Sequence, residues 1–95
     1  MINKTLFIYT NDQVNNVGDF PFYRFYNLIY INLPNVYIIG EQAFLNCKNL
    51  QKANLPKVTT IRYGVFNECS FLYILSTSTL TSIENYAFRN CISLN

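Results

Sequence analysis

Apolar and polar positions alternate in short bursts along the chain: Leu28-x-x-Ile31-x-Leu33, Leu50-x-x-Ala53-x-Leu55 and Leu72-x-x-Leu75-x-Thr77. Alternation of this kind places every second side chain on one face of a strand. The bursts return at a fixed interval, and other residues keep the same phase. Ile39, Phe44, Cys47 and Leu50 reappear as Ile61, Phe66, Cys69 and Leu72, then as Ile83, Phe88, Cys91 and Leu94, each step being 22 residues. A period in the twenties specifies a stacked solenoid, because one short unit buries its apolar face only against its neighbours. Strands at one phase in successive turns must run parallel.

Subtracting 22 extends the pattern backwards onto Val17, Gly18, Phe22, Leu28, Leu33, Pro34 and Val36. This first copy is degenerate, since Phe25 stands where later copies have Cys and Pro21 falls where a helix interior would be. The array is therefore expected over residues 14–95, with the degenerate copy at 14–32, clearer copies at 33–95 and an N-terminal extension at 1–13. Pro34 and Pro56 end their strands, since Pro cannot donate to a ladder. The β-branched runs Val58 to Ile61 and Leu80 to Ile83 predict a second, narrow strand stack. Ala43, Phe44 and Cys47, with Val65, Phe66, Cys69 and Ala87, Phe88, Cys91, show i, i+1, i+4 spacing that fits one or two helical turns. Phe is the main inward anchor there, and burying each contributes roughly 1.5–3 kcal/mol. The expected fold is α/β: a solenoid with a parallel strand stack on its concave side and short helical or irregular turns on its convex side.

At the C-terminus the pattern halts at Leu94-Asn95, the first position of a strand, so the last copy lacks a strand and a polar cap. Solenoids need capped ends, and the natural array is expected to continue or to have been truncated. The uncapped edge is expected to favour self-association.

The motif Ile-Gly-x-x-Ala-Phe-x-x-Cys-x-x-Leu, read at Ile39 to Leu50 and again from Ile83 to Leu94, resembles the BspA-like class of leucine-rich repeats. The resemblance covers residues 33–95 well and 14–32 weakly. Gly40 gives way to Arg62 and Glu84, Ala43 to Val65, and the Leu-Pro strand end to Thr77-Ser78. The resemblance implies a surface protein, of the surface-antigen type, that binds host or matrix proteins.

Composition narrows the remaining choices. With 51% hydrophobic, 17% aromatic and only 13% charged residues in 95, the chain is built to pack and excludes a disordered tail. Seven basic and five acidic residues give a net charge of +2, too small and too scattered for a nucleic-acid or anionic-membrane partner. Lys48, Lys52 and Lys57 form the one local concentration and are expected to be solvated surface. The apolar run Leu6 to Tyr9 is too short for a secretory signal, which needs about 7–15 apolar residues, or for a span, which needs about 20. Surface location is thus implied by the resemblance alone, and the other reading is an intracellular interaction scaffold; a weaker one is a structural remnant of an array.

Candidate chemistry is sparse. Equivalent cysteines in neighbouring turns lie about 4.8 Å apart with parallel side chains, whereas a disulfide wants β-carbons about 3.5–4.5 Å apart and converging. With no His and three Cys, neither a metal site nor a disulfide framework is expected, and a buried thiol ladder is. No cofactor is implied. The carboxylates sit at unrelated repeat positions, Glu41 being matched by Tyr63 and Asn85, so the chain is read as non-enzymatic. Asn3-Lys4-Thr5 fits a glycosylation sequon and is read as a chance match.

The candidate site is the outward face of the strands. It comprises Tyr30 and Asn32, then Lys52 and Asn54, then Ile74 and Ser76, flanked by Ile29, Gln51 and Tyr73. Aromatic anchors beside amides and a cation suit protein contact. The other reading is an ordinary solvated sheet; a sugar-binding variant would use Tyr30 and Tyr73 as stacking platforms, though nothing in the sequence selects it.

Overall fold

The structure is a computed structural model in which residues 7–94 are described. The sequon at Asn3 lies outside them. Eight strands follow in order: β1 (Phe7–Thr10), β2 (Asn16–Val17), β3 (Leu28–Asn32), β4 (Ile38–Ile39), β5 (Lys52–Asn54), β6 (Thr60–Ile61), β7 (Ile74–Ser76) and β8 (Ser82–Ile83). They assemble as a four-stranded sheet in the order β1-β3-β5-β7, with the narrow pairs β2-β4 and β6-β8 beyond it. All pairs are parallel. The result is a solenoid of about four turns in which Tyr30, Lys52 and Ile74 occupy successive rungs, 22 residues apart.

The core is a line of side chains running down the axis. Ile31, Leu33, Phe44, Leu50, Leu55, Phe66 and Leu72 are fully buried, and no polar or charged residue is buried with them among the described residues. Of the repeat positions read from the sequence, Ile39, Phe44, Cys47, Leu50, Ile61, Phe66, Cys69 and Leu72 are all inside. The last set differs. Ile83 is 57% exposed, while Phe88, Cys91 and Leu94 are partly buried against the core, because this last described rung has a neighbour on one side only.

Phenylalanines form a continuous column. The rings of Phe22 and Phe44 lie 5.0 Å apart, Phe44 and Phe66 5.5 Å, and Phe66 and Phe88 5.6 Å, each pair within 12° of parallel. Such pairs add about 0.5–1.5 kcal/mol beyond the area they bury. At the N-terminal end Phe22 meets Tyr9 and Phe25, and Phe25 stacks on Phe7 at 5.2 Å. Phe25, standing in the Cys position, thus belongs to an aromatic cluster over the first rung.

Two expectations are revised. The convex segments are irregular turns, and no helix occurs among the described residues. Each convex segment contains two left-handed residues four apart: Phe20 and Arg24, Gln42 and Asn46, Gly64 and Glu68, Tyr86 and Asn90. A left-handed residue interrupts right-handed helical winding, so the i, i+4 ladder never forms. The backbone N–H groups turn instead to the next copy: Phe44 donates to the Val65 carbonyl at 3.0 Å, Phe66 to that of Ala87 at 2.8 Å. Short i to i+3 bonds such as Cys47 N–H to Phe44 O complete each turn.

The second difference concerns residues 1–13, read as an extension. Residues 7–10 form β1, which pairs in parallel with β3 and adds a rung before the degenerate copy. Tyr9 stands opposite Ile31 in the register and packs against the core, so it serves as the inward residue of that rung.

Candidate functional site: the outer face of the sheet

Because alternate side chains of each short strand leave the core, the four rungs present two outward rows. Ile8, Tyr30, Lys52 and Ile74 share one row, and Thr10, Asn32, Asn54 and Ser76 the other. Between them run the inward residues Tyr9, Ile31, Ala53 and Leu75. Parallel pairing fixes the spacing of each row at about 4.8 Å per rung, so the face is a rigid grid.

The second row is cross-linked by its own side chains. The Asn54 carboxamide donates from Nδ2 to Asn32 Oδ1 at 2.8 Å, and Asn32 donates from Nδ2 to Thr10 Oγ1 at 3.1 Å. Each bond crosses one rung, so the carboxamides all point the same way along the array. Charges and hydroxyls elsewhere follow the same inter-turn logic. Lys57 Nζ donates to Asn35 Oδ1 at 2.9 Å, and Asn35 Nδ2 to the Asp12 carbonyl at 2.9 Å.

Over the rows lies an open groove of about 570 Å³. Among the described residues, Ile8, Ile29, Tyr30 and Ile74 supply its apolar walls, Gln51, Asn54 and Ser76 its neutral polar groups, and Lys52 its one charge, with no carboxylate in the lining. Of the residues singled out from the sequence, Ile29, Tyr30, Gln51, Lys52, Asn54, Ile74 and Ser76 meet here. Asn32 stands in the same grid but is engaged in the amide ladder. Tyr73 is 46% exposed and faces a second hollow of about 610 Å³, at the end of the solenoid, with Leu75, Leu80, Ile83 and Phe88. Ile8 and Thr10 were not singled out, although subtracting 22 from Tyr30 and Asn32 reaches them.

The cysteines have a clear structural task. Cys47 donates its thiol to the Phe22 carbonyl at 3.0 Å, Cys69 to Phe44 O at 3.1 Å and Cys91 to Phe66 O at 3.0 Å. All three are free thiols. Burial pushes Cys47 and Cys91 from the ordinary 9.0 up to about 11, the backbone contacts opposing this only in part. Burial raises Cys69 further, with repulsion from its two neighbours adding to it. The thiols therefore stay protonated as donors. A nucleophile or a metal ligand needs the thiolate, and no group of His, Cys, Asp and Glu able to hold a metal occurs among the described residues.

Two carboxylates act on the backbone. Asp19 Oδ1 accepts the Glu41 N–H at 2.9 Å, and Glu84 Oε1 accepts the Tyr63 N–H at 3.1 Å. Both cap convex-turn N–H groups at one repeat position, Asp19 from the preceding copy and Glu84 from the following one. No helix among the described residues is long and apolar enough to cross a membrane.

A family model described as a BspA-type leucine-rich repeat region in six copies matches residues 3–95. The fold is also similar to a crystal structure of a leucine-rich repeat protein from T. pallidum, with a TM-score of 0.72 and 24% identity; the match covers 97% of this chain and 57% of that one. No curated protein is significantly similar in sequence.

Proposed function

The chain belongs to the BspA-type leucine-rich repeat family, and on that premise we propose that it is a non-catalytic protein-binding module that takes its partner across the outer face of the four-stranded sheet. The observation that supports this is the groove itself, where Tyr30, Ile74, Asn54 and Lys52 come from three rungs onto one rigid surface. A preorganised surface of aromatic and aliphatic side chains loses little freedom on binding, and its aromatic residues are the type that dominates interface energetics. The partner class in this proposal is a host or matrix protein, and the module an adhesin-type surface antigen or a portion of one.

The experiment is binding of the immobilised chain to a panel of purified matrix and host-surface proteins, repeated with Tyr30→Asp and Ile74→Asp. Partners that bind the parent and are lost by both variants, at unchanged thermal melts, bear the reading out. Binding that survives both substitutions overturns it. Antibodies to residues 41–60 on intact and permeabilised source cells separate the location: staining only after permeabilisation sinks the adhesin reading in favour of an intracellular scaffold.

A further inference from the structure

We infer that the segment seated in this groove carries a carboxylate, an Asp or Glu flanked by apolar side chains, with Lys52 as its counter-charge. This rests on the strand-face reading above and specifies the chemistry of the partner.

The placement of Lys52 carries the argument. In its row it stands between Tyr30 on one rung and Ile74 on the next, with Ile8 beyond Tyr30. The exposed cation is thus set in an apolar row, and none of the described residues lining the groove is acidic. Lys57 differs, because its ammonium is held by Asn35 in the adjacent turn. When a partner covers Ile74 and Tyr30, water is displaced around Lys52 and the local dielectric falls. An uncompensated ammonium then becomes costly, whereas a carboxylate at contact distance is attracted more strongly than in open water. A partner that buries the apolar walls without an acid would leave the charge unpaired, so the groove selects against it.

The neighbouring row supplies one donor. Asn54 directs Nδ2 back to Asn32 and so leaves its carbonyl oxygen, an acceptor, toward the next rung, whereas Ser76, on that rung of the same row, is an exposed hydroxyl that can donate. A carboxylate bridging toward that row finds a hydroxyl donor for its second oxygen, while its apolar neighbours lie along the solenoid axis against Tyr30 and Ile74.

The test is selection of random twelve-residue peptides displayed on phage against the intact chain, followed by fluorescence anisotropy with the synthetic peptides. Selected sequences are expected to be enriched in a single Asp or Glu between apolar residues. Replacing that carboxylate by its carboxamide, or Lys52→Met in the protein, lowers affinity about tenfold or more. The two losses do not add when combined, as a direct pair requires. Lys52→Met keeps the aliphatic stem, and a circular dichroism melt confirms that it folds. Peptides abolished by Tyr30→Asp yet indifferent to both the carboxamide change and Lys52→Met overturn the inference and leave the strand-face reading standing. If no selected peptide responds to Tyr30→Asp or Ile74→Asp, that reading fails and the inference falls with it.

Discussion

The Cys69 thiol donates to the Phe44 carbonyl oxygen across a distance of 3.1 Å, joining two turns of the solenoid at a site with no solvent exposure. The same bond recurs from Cys47 to Phe22 and from Cys91 to Phe66. It explains why Cys, and not simply an apolar residue, stands at this phase. The thiol is small and apolar enough to be buried, yet keeps one weak donor for a carbonyl.

A consequence follows for alkaline stability. The folded thiols of Cys47 and Cys91 are raised from 9.0 to about 11, so the folded state holds protons that the unfolded chain releases first. Their stabilising contribution is complete below pH 9 and is lost as pH rises through about 11. Cys47, the buried one of the two, adds a slope of up to about 1.4 kcal/mol per pH unit in that window, and Cys91, which is partly open to solvent, adds less because water screens it. Urea midpoints measured from pH 8 to 11 should fall more steeply for the parent than for the Cys47→Ala/Cys69→Ala/Cys91→Ala variant. Parallel slopes would show that the thiols ionise alike in both states.

Phe66→Ala removes the middle of the aromatic column, where the ring stacks on Phe44 and on Phe88. The expected cost is about 3–5 kcal/mol, read from denaturant unfolding. Phe88→Ala should cost less, since that ring is only partly buried. Equal losses would mean that the column does not contribute as drawn.

Gly40 and Gly18 occupy the same repeat position but differ in surroundings. A β-carbon on Gly40 would overlap the Gly18 and Asp19 backbone and the Asp19 carboxylate, whereas one on Gly18 would meet nothing within 4 Å. Gly40→Ala is expected to destabilise by about 1–3 kcal/mol, and Gly18→Ala to stay within about 0.5 kcal/mol. Thermal melts of the pair check this. Arg62 and Glu84 are tolerated at the equivalent position because their side chains stand exposed.

Lys52→Ala and Tyr73→Ala change exposed side chains. Both should leave stability within about 0.5 kcal/mol of the parent, while Lys52→Ala weakens binding to the strand face. A melting temperature that drops with Lys52→Ala would assign the residue to the scaffold.

The 22-residue recurrence of Ile39, Phe44, Cys47 and Leu50 determined by itself that the fold is a solenoid with parallel rungs, and which side chains point inward. That much is legible because inward and outward alternation is a local property of a short strand, and the period repeats it. The outward row of Tyr30, Lys52 and Ile74 was legible for the same reason, since residues at one phase must stack. The conformation of the convex turns was decided only by the tertiary structure. Ala43, Phe44 and Cys47 have helical spacing, yet the left-handed residues Gln42 and Asn46 interrupt the winding there and the backbone is satisfied by the carbonyls of the next turn. The carboxamide ladder through Asn32, the thiol bonds to the phenylalanine carbonyls and the alignment of Ile8 and Thr10 with the outward rows are likewise contacts between turns. Each depends on where a backbone about 22 residues away comes to lie, and only the stacked array places it.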